Sequence, residues 1–200
     1  MSAFVGPIHH IMYDRILLQD QMTETLLLLA EEAGWSAALR AEADGAYPAA
    51  AQVALTEVVD PANIHGWLTE AVEVSERRLA LVAASLLADE PERLALAQER
   101  LQDLGRSTEL NLSDDLAVAH RAFGQKLLDG MPCDFPFAMD EPSDGAITWT
   151  LKSCPHAAFW VDGDAGLYYE LREAFVRGLL ADTAYRYGQT ADAFSFGREE

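Results

Sequence analysis

Apolar side chains return at helical spacing along most of this chain, and the breaks between them are chemically plain. Ile8, Ile11, Met12, Ile16, Met22, Leu26 and Leu29 form a stripe that predicts a long helix over about 8–33, stopped by Gly34. Shorter helical patterns follow over about 35–43 and 49–58, parted by Asp44-Gly45 and Tyr47-Pro48. Asp60-Pro61 supplies a side-chain acceptor and then a residue that needs no N–H. A second long helix is therefore expected over about 62–88, with Ile64, Leu68, Val72, Leu79, Val82 and Leu86 on its buried side. Helices over about 91–104 and 114–128 come next. The first is closed by Gly105; the second is opened by Ser113-Asp114-Asp115 and closed by Gly130.

The period then changes. Residues 135–139 and 147–152 are short β-prone runs on either side of Glu141-Pro142-Ser143-Asp144-Gly145, which reads as a hairpin with a longer loop. A last helix is expected over about 165–187, capped by Asp164 and ended by Gly188. The fold class is mainly α, a multi-helix bundle of six to eight helices with one late β-hairpin. Residues 1–188 make a single helical domain with the hairpin inserted at about 131–156, and 189–200 form a loosely held tail.

Two stretches resemble each other. Ile8-His9-His10-Ile11-Met12-Tyr13-Asp14-Arg15-Ile16 aligns with Ile64-His65-Gly66-Trp67-Leu68-Thr69-Glu70-Ala71-Val72, each opening a long helix with Ile-His. Convergent helix-start chemistry explains this; so does an internal duplication, which would put His9 and His65 in equivalent places facing one another.

Charge narrows the partners. The 200 residues carry 33 acidic against 14 basic side chains, a net charge of -19, with no basic stripe. Such a surface repels phosphate backbones and anionic headgroups, so neither nucleic acid nor a membrane surface is expected as partner. A small molecule, a protein partner and a homo-oligomer all stay open. No charged segment followed by a long apolar one opens the sequence, and two cysteines do not make a disulfide framework, so a cytoplasmic protein with reduced thiols is expected.

The candidate chemistry centres on the hairpin. Cys133 and Cys154 flank it, and a hairpin brings its ends together; His156 follows Cys154 by two residues. With His9 or His65 these side chains could supply soft ligands for a transition metal, zinc or iron. The expected metal set is therefore Cys133, Cys154, His156, His65 and His9. Glu-x-x-His, His-Glu-x-x-His and paired Cys-x-x-Cys knuckles are all absent. Cys154 is also the candidate catalytic nucleophile, activated by the proline, histidine and helix start that follow it. Other clusters are His10 with Asp14 on one helical face, His120 in mid-helix, and an arginine pair, Arg172 and Arg177, suited to a substrate carboxylate. No phosphate loop, dinucleotide fingerprint or nucleophile elbow occurs. The leading expectation is a metal-binding protein or small metalloenzyme with a Cys/His site. The alternatives are a non-catalytic, chaperone-like binding protein with an apolar groove and acidic rim, and a cysteine-nucleophile enzyme.

Overall fold

The computed structural model describes residues 4–131, 133–134, 136–140, 145–160 and 165–198. The described helices are α1 (Pro7–Glu32), α2 (Leu39–Ala46), α3 (Leu55–Val58), α4 (Ile64–Leu87), α5 (Pro91–Ser107), α6 (Leu116–Gly124) and α7 (Gly166–Leu179). The strands are β1 (Phe137–Met139), β2 (Ala146–Leu151), β3 (Tyr185–Gln189) and β4 (Ala193–Arg198). The protein is mainly α with a late β-hairpin, as the hydrophobic periods predict, and the hairpin is part of a four-stranded antiparallel sheet. No described helix is long and apolar enough to cross a membrane.

α1 and α4 lie side by side and run the same way. His9 meets His65 at one end and Gln19 meets Ser75 ten residues further on, the same 56-residue offset in both contacts. The two Ile-His helix starts do face each other. Asn63 caps α4 by accepting from the Gly66 N–H, while Asp60 turns back to the Ala62 N–H, so the helix begins later than Asp60-Pro61 suggests.

The apolar stripes of this pair are not continuous. Met12, Tyr13 and Ile16 join Ile64, Leu68 and Val72 in one apolar cluster; Met22, Leu26 and Leu29 join Leu79, Val82 and Leu86 in another. Between them the stripe positions are polar: Gln19, Asp20, Ser75 and Glu76, all buried. A buried polar layer is stable only when its groups find partners, so this layer locates the chemistry of the molecule.

α5 and α7 cross at backbone contact. A Cβ on Gly178 would stand 1.9 Å from the Gln102 carbonyl oxygen, and one on Gly105 would stand 2.1 Å from that of Phe175. Gly105 is thus inside α5, where it permits the crossing, rather than a terminal cap.

The sheet corrects two expectations. The strand order is β1-β2-β4-β3, so residues 193–198, expected in a loose tail, pair with both β2 and β3. Tyr185 and Tyr187, expected at the end of the last helix, lie in β3 instead. The alternation explains both: Phe194 and Phe196 are buried in β4, and they stack with Trp149, Tyr185 and Phe123 to seat the sheet on α6. The hairpin loop at 141–144 and the proposed cap Asp164 lie outside the described residues.

Candidate functional site

Four segments converge on the buried polar layer. Glu76 comes from α4, Asp129 from the segment after α6, His156 from the turn after β2, and Tyr168 and Arg172 from α7. His156 is fully buried and stands between two acids, Nδ1 3.1 Å from Glu76 Oε1 and Nε2 3.6 Å from Asp129 Oδ1. Its ring stacks on Tyr168 with centroids 3.6 Å apart. Arg172, 2% exposed, donates from Nη1 to the same Asp129 oxygen at 2.6 Å.

The segment carrying Asp129 is locked locally. The Tyr168 hydroxyl donates to the Leu128 carbonyl, and the Met131 N–H donates to Asp134 Oδ2. Gly130 makes the turn between them with φ at 73°, a conformation that costs glycine least. A side chain there would also strike Asp134 Oδ2, 2.9 Å from its Cβ.

Electrostatics follow from that geometry. Burial works against a charged His156, but Glu76 and Asp129 outweigh it and push its pKa up to about 9. Burial likewise works against a charged Asp129, yet Arg172, His156 and Arg15 hold its carboxyl below the usual range. At neutral pH the cluster therefore sets three cations, His156, Arg172 and Arg15, around the Asp129 carboxylate, with Glu76 on the other side of the imidazole.

The raised pKa of His156 sets a stability window. Its contribution is fully present below pH 6.5, the unfolded imidazole value, and disappears as pH rises through about 9. Unfolding free energy should fall by about 2 kcal/mol between about pH 7 and pH 9. His9 and His120 have lowered values and are already neutral across that range. Urea denaturation at several pH values checks this; a slope unchanged in His156→Gln would contradict it.

Asp129 and Arg172 also line a cavity of about 220 Å³, with Arg15, His120, Phe123, Met131, Phe137 and Trp149 among the other walls. Two buried guanidinium nitrogens of Arg172, Nε and Nη2, make no hydrogen bond among the described residues, nor does Arg15 Nε; the Arg172 guanidinium lies 5.4, 5.8 and 6.0 Å from the ring centres of Phe194, Tyr169 and Tyr187. Two of the larger hollows, of about 410 and 480 Å³, are more polar-walled clefts: Asp14, Gln21, Glu109 and Lys126 line one, Gln98, Glu99, Glu173 and Arg177 the other.

The structure separates the residues expected to ligate metal. Cys133 is exposed, its sulfur 3.8 Å from Asp134. Cys154 is half-buried with its sulfur 3.7 Å from the Tyr169 hydroxyl, on a different hollow. His156 turns both nitrogens toward carboxylates, Nδ1 within hydrogen-bond distance of Glu76 and Nε2 3.6 Å from Asp129. His9 and His65 pair at the starts of α1 and α4, ring centroids 5.2 Å apart. Among the described residues, no three His, Cys, Asp or Glu side chains are arranged to hold a metal ion. The expected five-residue set is therefore not assembled.

The nucleophile expectation fares similarly. The sulfur of Cys154 meets a phenol whose pKa is raised, first by burial and then by the thiol itself, not a basic imidazole. His120 packs against Trp149 and Phe196. Arg177 pairs with Glu173 on the surface, leaving Arg172 as the buried member of the expected arginine pair.

Sequence reasoning found His156 and Arg172 but missed Glu76 and Asp129. Glu76 had a signal: it occupies a stripe position between Val72 and Leu79, where an unpaired acid would be costly. Asp129 had none, since an acid before a glycine at a helix end is ordinary loop chemistry.

No protein-family model, curated protein or solved structure matches this chain.

Proposed function

We propose that the protein binds a small organic anion, a carboxylate on a compact apolar body, in the 220 Å³ cavity between α6, the sheet and α7. The observation that carries this is the convergence of two arginines, Arg172 and Arg15, on one apolar-walled cavity in a chain otherwise so acidic, with two Arg172 nitrogens making no hydrogen bond. A buried donor without an acceptor costs roughly 1–3 kcal/mol, and a ligand carboxylate would supply the missing acceptor. Arg15 adds a second cation, and Phe123, Phe137 and Trp149 supply an apolar and aromatic enclosure. Asp129 fixes the guanidinium, and His156 with Glu76 fixes Asp129, so the anion site is preorganised from behind.

Benzoate, with neutral benzamide as the control, tests this by NMR titration followed at the Trp149 indole and the His120 ring. A charge-assisted hydrogen bond contributes roughly 1.5–3 kcal/mol, so benzoate should bind about tenfold to hundredfold more tightly than benzamide. Arg15→Gln should weaken benzoate, and Arg172→Lys, which keeps charge but loses the planar fork, should weaken it further. Equal affinity for benzamide, or no saturable shift with benzoate, would refute the assignment.

A further inference from the structure

A second hollow lies on the other side of the α1–α4 pair. The strap at 47–51 closes over the two helices and is pinned by three buried groups. Arg78 donates to the Tyr47 carbonyl, Asp20 Oδ2 accepts from the Ala50 N–H, and the Tyr13 hydroxyl donates to the Ala51 carbonyl. Under the strap is a cavity of about 320 Å³, walled by Tyr13, Trp67, Pro48, Val58 and Val74, with Asp20 and Glu70 as its acids.

The charge of this hollow is one-sided. None of its lining residues is Lys, Arg or His. Asp20 is 4% exposed and accepts from Ser75 Oγ and the Ala50 N–H, but among the described residues it makes no ion pair. Arg78, the cation that acts on it, donates from its two terminal nitrogens to Tyr47 and Asp44 rather than to Asp20. Burial accordingly pushes the Asp20 carboxyl upward, against its two hydrogen bonds and Arg78. A buried carboxylate without a counter-ion is costly, and a cation in the cavity would repay it.

The rings decide which cation. Tyr13 and Trp67 stand 5.8 Å apart at a 53° tilt, two walls of an angled aromatic corner. Aromatic faces attract weakly hydrated cations, and apolar walls disfavour a metal ion that must keep its water. We propose that this hollow is a site for a small organic ammonium ion, held between the faces of Tyr13 and Trp67 and the negative charge of Asp20 and Glu70. It is independent of the anion cavity, whose lining residues it does not share.

Tetramethylammonium chloride is the probe, with tert-butyl alcohol as a neutral mimic of similar shape, followed at the Trp67 indole N–H and assigned through Trp67→Phe. The expected result is a saturable shift with the cation alone, weakened at least threefold by Asp20→Asn and by Glu70→Gln. Glu70 is exposed, so its variant tests the charge even where Asp20→Asn disturbs the strap. An equal shift with the alcohol would overturn the proposal. So would no saturation up to tens of millimolar, or affinity unchanged in Glu70→Gln and in folded Asp20→Asn.

Discussion

Asp129→Ala is expected to cost about 3–5 kcal/mol of stability, the range for breaking a buried pair from one side. In a chain of this length that corresponds to a melting temperature lower by roughly 6–20 °C. The size follows from the number of groups stranded. Arg172 is 2% exposed and His156 fully buried, and both direct a nitrogen at the same oxygen of Asp129. Among the described residues, Arg172 loses its only carboxylate partner, and His156 keeps only Glu76. The double variant Asp129→Ala/Arg172→Met should recover part of the loss, because it removes one of the stranded charges. Urea denaturation of the single and double variants measures both numbers. A loss of only ~1 kcal/mol, as for an exposed pair, would mean that this cluster is solvated rather than buried.

Gly178→Ala should be damaging for a different reason. Alanine is the better helix former by about 1 kcal/mol, so the helix itself would gain. The new methyl group would sit 1.9 Å from the backbone oxygen of Gln102, and a backbone atom cannot swing aside as a long side chain can. The two helices must part, and overpacking of this kind costs about 1–3 kcal/mol and at times more, so at the upper end of that range a net loss of about 2 kcal/mol is expected. Gly124→Ala is the internal control: its added Cβ would meet nothing within 4 Å, and it should be neutral or mildly stabilising. If the two variants behave alike in thermal melts, the close crossing of α5 and α7 is not a constraint. Because α7 also carries Tyr168 and Arg172, parting the helices should weaken benzoate binding in Gly178→Ala as well.

Most of the helical frame is legible in the sequence because its signals are local. The stripe of α4, from Ile64 to Leu86, is buried at every position the spacing singles out. Ile8 is an exception at 47% exposed, since it precedes the first turn that packs on α4. The sheet was half legible. Phe194-Ser195-Phe196 alternates as a strand should, but its partners β2 and β3 are set by long-range pairing that no local window contains. The tyrosines of 185–187 fit a helical period as well as a strand period until the chain's turn at 180–184 is known.

The site divides along the same line. His156 and the cysteines draw notice by residue type, yet type says nothing about which way a side chain faces. A histidine in a Cys-Pro-His turn looks like a ligand; buried between Glu76 and Asp129 it is a charged brace. What the sequence does contain is the interruption of two apolar stripes, at Gln19-Asp20 and at Ser75-Glu76. Those interruptions face each other across the parallel helix pair. Asp20 and Ser75 meet at the hollow under the strap, and Glu76 leads through His156 to Asp129 and the anion cavity.

The strand order has a bearing on how the chain reaches this state. β3 has only β4 as its partner, and β2 needs β4 on one of its sides, so the middle of the sheet is the last strand to be synthesised. On the ribosome α6 and β2 must wait with Trp149, Phe123 and their neighbours uncovered until Phe194 and Phe196 emerge. Pairings so distant in sequence form slowly, and the aromatic surface exposed meanwhile is the kind that holdases recognise. Helix assembly can begin early, with α1 and α4 already made, whereas the aromatic floor beneath the anion cavity is completed only once β4 has emerged.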